Sequence, residues 1–340
     1  MNTTQAYHFI GLDIHKNTIS FCEKDVTGFT VARGTFAARR HDLEAFARSR
    51  IKPFVGGIEA TLFSGWVYDV LAPHSVALHV GHPMRLKALS KNKNDRIDAE
   101  MLANLLRADL FPSCHMAPSH VRELRRVLRY RNFLVREATR MKNKTAGLLM
   151  ETGAEYVKSK LHQKRYFSDL LNNIEEVPDS VRALLRMTRT NIEIFTSAQR
   201  QLLDALAHHD TLRQRVELLE TIGGVGEVTA LTWALEIDDP HRFGRIKDVH
   251  SYCGLCSAQH ESAGKERRVP LSKERNPHLQ TILIEAAKLA PSKQPHLRAV
   301  HQAALERGYN RNRATLAVAR KLAAYLLAVD KSAVPFTAPQ

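Results

Sequence analysis

The chain has 340 residues, of which 44% are hydrophobic, so it is long enough for two or three domains with packed cores. Its 50 lysines and arginines against 35 aspartates and glutamates give a formal charge of +15, which points to nucleic acid or an anionic membrane surface. No uninterrupted apolar run approaches the roughly 20 residues of a bilayer span, and residues 1–10 lack the layout of a signal peptide. We therefore expect a cytoplasmic protein without a membrane partner.

The first third of the chain alternates apolar strands with helices. This alternation indicates an α/β domain with a partly parallel sheet. Pro112 and Pro118 bracket its exit, so we assign residues 1–117 to this domain. Strands are predicted over residues 7–21 (with their turn), 27–36, 53–61 and 76–83, and helices over 41–50, 64–73 and 95–110.

The composition changes near residue 118. Apolar residues recur at helical spacing from Val121 to Ala138, and a second periodic run covers residues 180–217. Two long helices joined by a polar connection are typical of an antiparallel helical arm or coiled coil. We assign residues 118–217 to a helical linker and oligomerisation region.

The remaining part, residues 218–330, is predicted to be a mainly helical domain, followed by a tail over 331–340. The segment LETIGGVGEVTAL resembles a helix-hairpin-helix. Backbone N–H groups at its glycine turn, Gly224 and Gly226, would suit a phosphate, because a helix N-terminus attracts anions. A plain turn between two helices remains an alternative.

Four carboxylates lie within or beside apolar runs: Asp13, Glu59, Asp95 and Asp98. Burial of an unpaired carboxylate is expensive, so a cation is expected to hold them. Ligands of open α/β sheets gather at strand carboxyl ends, and acids three residues apart share one helix face. Oxygen ligands suit Mg²⁺ or Mn²⁺, which can clamp the attacking and leaving oxygens of a phosphodiester. Taken singly, each acid is also explained as a helix cap or surface charge.

Basic residues cluster in three places that would draw in a nucleic acid. The alternative for each cluster is a solvated basic face. The predicted phosphate-binding side chains are Lys91, Lys93 and Arg96 beside the acids, Arg122, Arg125, Arg126 and Arg129 on the first long helix, and Lys265, Arg267 and Arg268 near the C-terminus.

Ser262 lies among the C-terminal cations. A hydroxyl in such surroundings is suited to attack a phosphate, which would give a covalent phosphoserine and retain the bond energy for rejoining. Because serine is a common loop residue, local sequence alone favours a structural role. Ser257 and Ser272 are rival candidates.

The pair Cys253 and Cys256 forms a CxxC near His250 and His260, which is compatible with a zinc site. No second well-spaced pair accompanies it, and the segment is apolar. Two small buried residues are the favoured interpretation.

Taken together, these segments resemble the DEDD transposases of bacterial insertion sequences, a family of bridge-RNA-guided recombinases. The resemblance runs from GLDIHK, GIEAT and KNDRIDA to LETIGGVGEVTAL and the SAGK segment that begins at Ser262. It implies a RuvC-like first domain of RNase H fold, a helical segment, and a C-terminal transposase domain whose catalytic serine matches Ser262. The family's four magnesium-binding acids match Asp13, Glu59, Asp95 and Asp98.

The resemblance further implies that a non-coding bridge RNA pairs with donor and target DNA, so that base pairing carries sequence choice. The protein would supply shape recognition, positive charge and catalysis through a phosphoserine, with Mg²⁺ or Mn²⁺ and without an organic cofactor. A homodimer or homotetramer, located with the nucleoid, is expected.

Three other functions remain open from the sequence. A RuvC-like structure-specific endonuclease would hydrolyse DNA without a covalent intermediate and would not need Ser262. An actin-like kinase or ATPase is suggested by GLDIHKNTIS, against which the net charge argues. An inactive nucleic-acid scaffold is the fourth possibility, against which the complete acid set argues.

Overall fold

The computed structural model describes residues 7–89, 95–262, 265–271 and 273–338, with the backbone alone for 95–97, 258–262 and 265–270. The predicted phosphate contacts Lys91 and Lys93 lie outside the described residues. The chain divides into two compact units, residues 1–122 and 123–340. The finer division into four regions stays a prediction.

Unit 1 is built on a six-stranded mixed sheet in the order β3-β2-β1-β4-β5-β6. Strands β1, β4 and β5 are parallel, and the other neighbours are antiparallel. The α/β class and the partly parallel sheet are therefore confirmed. The strands are β1 (His8–Ile14), β2 (Thr18–Lys24), β3 (Thr30–Ala37), β4 (Phe54–Glu59), β5 (Ala77–Gly81) and β6 (Ser113–Cys114).

A long strand with its turn was predicted over residues 7–21, and this was wrong, because the segment is a hairpin of two paired strands. Strand β1 ends at Ile14 and β2 begins at Thr18, with Leu12 opposite Phe21. Apolar residues continue on both sides of the polar turn 15–17, so hydrophobicity alone does not reveal the reversal.

Helices cover both faces of the sheet. Ile10, Leu12 and Ile58 point to one face, where they form a buried core with α1 and α2. Because side chains alternate along a strand, Gly11 and Asp13 of β1 point to the other face, which α4 covers. The helices of unit 1 are α1 (Arg40–Arg48), α2 (Ser64–Leu71), α3 (Pro83–Leu89) and α4 (Asp95–Arg107).

Glycine at position 11 allows α4 to lie directly on the sheet. A Cβ atom at Gly11 would stand 2.1 Å from the carbonyl oxygen of Ala99 and 2.6 Å from the amide nitrogen of Ala103. Both are backbone atoms of α4, so the whole helix would have to move away. The position of α4 above β1 therefore depends on the missing side chain.

We expect Gly11→Ala to destabilise unit 1 by at least about 2 kcal/mol, because an inserted methyl group in a packed interior forces backbone shifts. Differential scanning calorimetry measures the loss. Gly147, in the helix α5 (Ser119–Glu151), is the matched control, since a Cβ there meets nothing within 4 Å. Gly147→Ala should stabilise by about 0.5–1 kcal/mol; equal effects of both changes would contradict the close contact at Gly11.

Unit 2 is mainly helical, in agreement with the sequence. The remaining helices are α6 (Lys164–Asn173), α7 (Asp179–Ala207), α8 (Asp210–Glu220), α9 (Glu227–Ile237), α10 (Ile246–Tyr252), α11 (Pro277–Lys293), α12 (Pro295–Glu306) and α13 (Arg311–Ser332). Within the described part of the chain, no helix combines the length and the apolarity that a membrane span requires.

The end of α5 packs with α6 and the first half of α7. Thr145 of α5 donates a buried hydrogen bond of 2.9 Å to Thr188 of α7, and Leu149, Phe167 and Leu185 share one apolar cluster. The first of the two long helices predicted for this region is α5. The second, predicted over residues 180–217, is divided, because α7 ends at Ala207 and α8 begins at Asp210. The coiled coil and its role in oligomerisation stay predictions.

Helix α9 is the centre of unit 2. Every residue from Thr229 to Ile237 is buried, and α8, α11 and their neighbours surround it. Helices α8 and α9 are joined by a short glycine-containing turn, as predicted. Gly224 has φ +97° and lies against Ala290, where a Cβ would approach within 2.7 Å, so both the turn and the packing require glycine there.

Candidate active site

Two of the predicted acids meet at one edge of the sheet of unit 1. Strands β1 and β4 are parallel, and Leu12 is the register partner of Ile58. Asp13 and Glu59 follow these partners directly, so they occupy adjacent positions where the two strands end. Both side chains point to the face that α4 covers, because they lie two residues after Gly11 and Gly57, themselves register partners.

Helix α4 carries the other two acids toward the same edge. Ala99 lies over Gly11, and the later residue Arg107 lies beside Gly28, beyond the opposite end of β1. The helix therefore runs antiparallel to β1, and its first turn points toward the edge with Asp13 and Glu59. Asp98 belongs to this turn and is half-buried. Asp95 begins the helix, and its side chain lies outside the described residues, as does that of Arg96.

Asp13 is 9% exposed and accepts a hydrogen bond of 2.9 Å at its Oδ2 from Nε2 of His15. The imidazole is half-exposed. An imidazole that donates this bond, or carries a proton, partly compensates the burial of the carboxylate. His15 was not among the predicted site residues; its position two residues after Asp13 in GLDIHK was the available signal.

The donor chemistry of this edge fits a hard divalent cation, since carboxylate oxygens are the ligands that Mg²⁺ and Mn²⁺ prefer. Across the described residues, no group of three or more His, Cys, Asp or Glu side chains lies close enough together to hold a metal ion. Because the side chain of Asp95 is outside them, the four-acid metal site stays a prediction.

Ser262 belongs to unit 2, where it is the last residue of the first strand of a two-stranded hairpin. Strand β7 (Ser257–Ser262) pairs with β8 (Lys265–Leu271) in antiparallel register, with Ser262 opposite Lys265. The backbone thus brings the serine next to the cation that its sequence context suggested. The side chains of Ser262, Lys265, Arg267 and Arg268 lie outside the described residues, and so does the rival Ser272.

Three of the predicted phosphate-binding arginines donate hydrogen bonds within the chain. Arg122 bonds to Asp69 and to the carbonyl of Ala117. Arg125 donates to the carbonyl of Leu235 at 2.9 Å, and Arg129 donates twice to a buried carboxylate. Their predicted phosphate contacts remain untested, and these bonds show that each also has a structural role.

Arg126 is exposed on α5 and, unlike Arg122, Arg125 and Arg129, makes no side-chain hydrogen bond to the described residues. At the turn between α8 and α9, Val225 already uses its N–H to bond to Ile222 at 2.9 Å. Gly226 is the N-terminal capping residue of α9, and its carbonyl accepts from Thr229 and Ala230. The phosphate-binding role predicted for Gly224 and Gly226 remains a prediction.

Models of known protein families match both the region that contains the four acids and the region that contains Ser262. A family model for DEDD transposases of the IS110 type, described as "Transposase", matches residues 10–154, which include all four acids. A second model, "Transposase IS116/IS110/IS902 family", matches residues 216–302, which include Ser262. The chain belongs to the IS110 family of insertion-sequence transposases. The family proposed from the sequence motifs is thereby confirmed.

Relatives of this transposase are similar over most of their length. The transposase for insertion sequence element IS1111A of Coxiella burnetii is 26% identical over 292 residues, covering 82% of this chain and 76% of the relative. The transposase for IS1328 of Yersinia enterocolitica is 25% identical over 296 residues, covering 82% and 83%. Family membership implies that this transposase binds DNA and processes it.

The transposase also contains a buried ionic network that the sequence interpretation missed. Glu236 on α9 is 0% exposed. Its two carboxylate oxygens accept hydrogen bonds from Nε and Nη2 of Arg129, both at 2.8 Å. Arg125 approaches to 3.7 Å, and Asn276 donates to Oε2 at 2.8 Å. An acid within the apolar run TALTWALEI was the available signal, by the same reasoning that singled out Asp13.

This network lies at the base of the β7–β8 hairpin. The side-chain oxygen of Asn276 caps the N-terminus of α11 by accepting hydrogen bonds from the backbone amides of His278 and Leu279. The backbone N–H of Asn276 donates to the carbonyl of Tyr252. On the other side of the hairpin, Arg320 donates to the carbonyl of Leu255 at 2.7 Å. Both ends of the segment that carries Ser262 are therefore hydrogen-bonded to other groups of unit 2.

Glu236 and Arg129 shift each other's pKa. Burial alone would raise the pKa of Glu236, but the hydrogen bond and charge of Arg129, the bond from Asn276 and the charge of Arg125 together lower it. The hydrogen bond to Glu236 in turn raises the pKa of Arg129. The carboxylate is therefore ionised in the folded transposase at neutral pH.

Of the cysteine pair, which was predicted to be two small buried residues, Cys253 is buried and Cys256 is only partly buried. Cys253 is fully buried, and burial raises the pKa of its thiol to about 12. A zinc ligand must be a thiolate, which this environment disfavours. Nε2 of the nearby His250 donates a hydrogen bond of 3.0 Å to the carbonyl of Arg320, and the side chain of His260 lies outside the described residues.

Proposed function

We propose that this transposase is an RNA-guided DNA recombinase that cuts and rejoins strands through a phosphoserine at Ser262, assisted by a divalent metal. The observation that carries the proposal is the meeting of Asp13 and Glu59 at one sheet edge, with the first turn of α4 directed toward it. The mixed sheet, with α4 on the face of the acids, supports the RNase H-like assignment of unit 1.

Asp13, Glu59, Asp95 and Asp98 would hold Mg²⁺ or Mn²⁺. A bound divalent ion neutralises charge that develops on the phosphate and on its leaving oxygen. The chain's own contribution is to collect negative charge at a strand end, where Asp13 is 9% exposed. His15 would keep the Asp13 carboxylate oriented through its hydrogen bond.

The serine step is a transesterification. Oγ of Ser262 attacks a DNA phosphorus, a new Oγ–P bond forms, and the bond from phosphorus to the leaving deoxyribose oxygen breaks. The serine proton leaves to solvent or a general base, and the departing oxygen takes up a proton. Attack by a hydroxyl of the exchanging strand then breaks the Oγ–P bond and regenerates the serine. One phosphodiester is lost and one is made, so no external energy source is needed.

Guidance would come from a bridge RNA that pairs with donor and target DNA. The formal charge of +15 supports binding to several nucleic-acid backbones at once. A homodimer or homotetramer would bring two such chains to the two DNA partners. Because the acids belong to unit 1 and Ser262 to unit 2, the proposal requires the two units, of one chain or of two, to act on one DNA linkage.

The test is a search for a covalent protein–DNA adduct. Wild-type protein with Mg²⁺, bridge RNA and end-labelled DNA is denatured and run on a denaturing gel. We expect a labelled protein band with the wild type and none with Ser262→Ala. Ser257→Ala, at the start of the same strand, is the matched control and should keep the band.

Cleaved DNA without any adduct, unchanged in Ser262→Ala, would instead support the hydrolytic endonuclease. An adduct that persists in Ser262→Ala but disappears in Ser257→Ala would transfer the nucleophile to the rival serine.

A further inference from the structure

An exposed pair of aromatic rings stands on the basic surface of α5. Tyr130 is 58% exposed and Phe133 is 41% exposed, and their ring centroids are 5.7 Å apart with a tilt of 35°. Within the described part of the chain, the Tyr130 hydroxyl has no hydrogen-bond partner. Both rings therefore present part of their surface to solvent while they contact each other.

The pair is not part of the core of unit 2. Leu128, Leu134 and Ala138 are buried and form the inward face of α5. Tyr130 and Phe133 lie three residues apart on the outward face, so they form one patch on the helix surface. A contiguous exposed apolar patch that is rimmed by polar residues is typical of an interaction site.

The surroundings of the rings are cationic. Residues 124–136 contain five arginines and no aspartate or glutamate. Arg126, one turn before Tyr130, and Arg136, one turn after Phe133, are both exposed. The next acid, Glu137, is engaged by Arg140 at 2.6 Å. This charge complements a polyanion and disfavours pairing with the same surface of a second copy.

We propose that Tyr130 and Phe133 form a stacking platform for unpaired bases of an RNA, with Arg126 and Arg136 contacting the adjoining phosphates. Aromatic faces bind bases of any sequence, and flanking cations hold the backbone. Duplex DNA keeps its bases stacked inside, whereas RNA loops present unpaired bases to proteins. The RNA assignment rests on the proposed function, in which the guide RNA supplies the loops; the platform extends that function from backbone binding to base contact.

The experiment measures binding of the full-length Ser262→Ala protein to a fluorescein-labelled oligouridine of about twelve residues, by fluorescence anisotropy. Adding Tyr130→Ala and Phe133→Ala should weaken binding about ten-fold or more, because stacking on each ring is lost. Binding to a labelled RNA duplex of the same length should change less than about two-fold. Tyr130→Phe and Phe133→Tyr keep the rings and should bind like the parent.

Two further arms make the test specific. An abasic version of the oligonucleotide should bind parent and double-alanine proteins equally, since only stacking distinguishes them. Arg126→Gln should weaken oligouridine and duplex alike and reduce the salt slope by about one unit. Met187→Ala, at another exposed apolar side chain, on α7, is the control and should change neither.

Equal weakening of oligouridine and duplex by the double-alanine change, or no weakening, overturns the platform. So does a loss of self-association, seen by light scattering, with unchanged RNA binding, which would assign the rings to an interface between copies. Tighter, ring-dependent binding of oligothymidine overturns the RNA assignment. Because the assay uses protein without the Ser262 hydroxyl, its outcome is independent of the adduct test.

Discussion

Replacement of Asp13 by asparagine is expected to lower the rate of DNA strand cleavage about a thousand-fold or more, because removal of one electrostatic group from a preorganised site costs that much. Asparagine keeps the size of the side chain and its ability to accept from His15, so the fold should survive. What it removes is one negative charge from the group at the sheet edge. Affinity for Mg²⁺ is expected to fall in parallel.

Single-turnover cleavage with saturating DNA and RNA measures the rate, and calorimetric titration with Mg²⁺ alone measures the affinity. Asp42→Asn, on α1 of the same unit, removes an equal charge elsewhere and should leave both unchanged. Raising the Mg²⁺ concentration should partly restore Asp13→Asn if weakened metal binding is the cause. Wild-type cleavage and wild-type Mg²⁺ binding in Asp13→Asn would remove the metal site from the mechanism.

Replacement of Glu236 by glutamine is expected to destabilise unit 2 by about 2–3 kcal/mol at pH 7. Breaking a buried ion pair from one side costs about 3–5 kcal/mol, but the Arg129 side chain is 47% exposed and water would solvate part of its released charge. The glutamine amide would also place a donor opposite the Asn276 amide, which donates to Glu236 in the wild type. Urea unfolding followed by the fluorescence of Trp233, buried on α9, reports on unit 2 in a Trp66→Phe background.

The effect of Glu236→Gln should depend on pH in a defined direction. The pKa of Glu236 in the folded state lies below its ordinary value of 4.5. A depressed folded-state pKa adds stability above the unfolded-state pKa, and this stability is lost as the pH falls through the folded-state pKa. The difference between wild type and Glu236→Gln should thus be constant from about pH 6 to 8 and shrink below about pH 4.5.

Arg129→Met should reverse this dependence. Without its main partner, burial dominates at Glu236 and raises its pKa, so the variant loses stability as the pH rises through that raised value. The double variant Arg129→Met with Glu236→Gln should be more stable at pH 7 than the sum of the single losses predicts. Arg126→Gln, three positions earlier on an exposed face, should leave stability within about 0.5 kcal/mol. Additive single losses would mean that the carboxylate and guanidinium contribute independently.

Much of unit 1 could be predicted because its signals are local. Apolar runs with small or polar ends located β4 and β5, and the helical period located α4 within three residues of its observed end at Arg107. The same reasoning placed Asp13 on the first strand and Glu59 near the end of a later parallel strand. It failed across residues 15–17, where a tight reversal separates two apolar strands that pair with each other, because hydrophobicity does not record chain direction.

The α5 arginines show where sequence reasoning ends. Arg125, Arg126 and Arg129 are equivalent as letters in a basic helix, and all three were predicted to contact phosphate. Two of them bond to Leu235 and Glu236, more than 100 residues away, and the third is exposed. A helix of known period shows which residues share a face, but not which distant element covers that face.

The amino-acid sequence by itself determined the family, the alternation of strands and helices, and the acids that end up at the edge of the sheet, because motifs and hydrophobic period are properties of neighbouring residues. The tertiary structure alone decided that α4 rests on Gly11, that Glu236 binds Arg129, and that the rings of Tyr130 and Phe133 stay in solvent. Those outcomes depend on contacts between residues far apart in the chain, and the free energy of such contacts is set by burial and geometry that only the folded protein possesses.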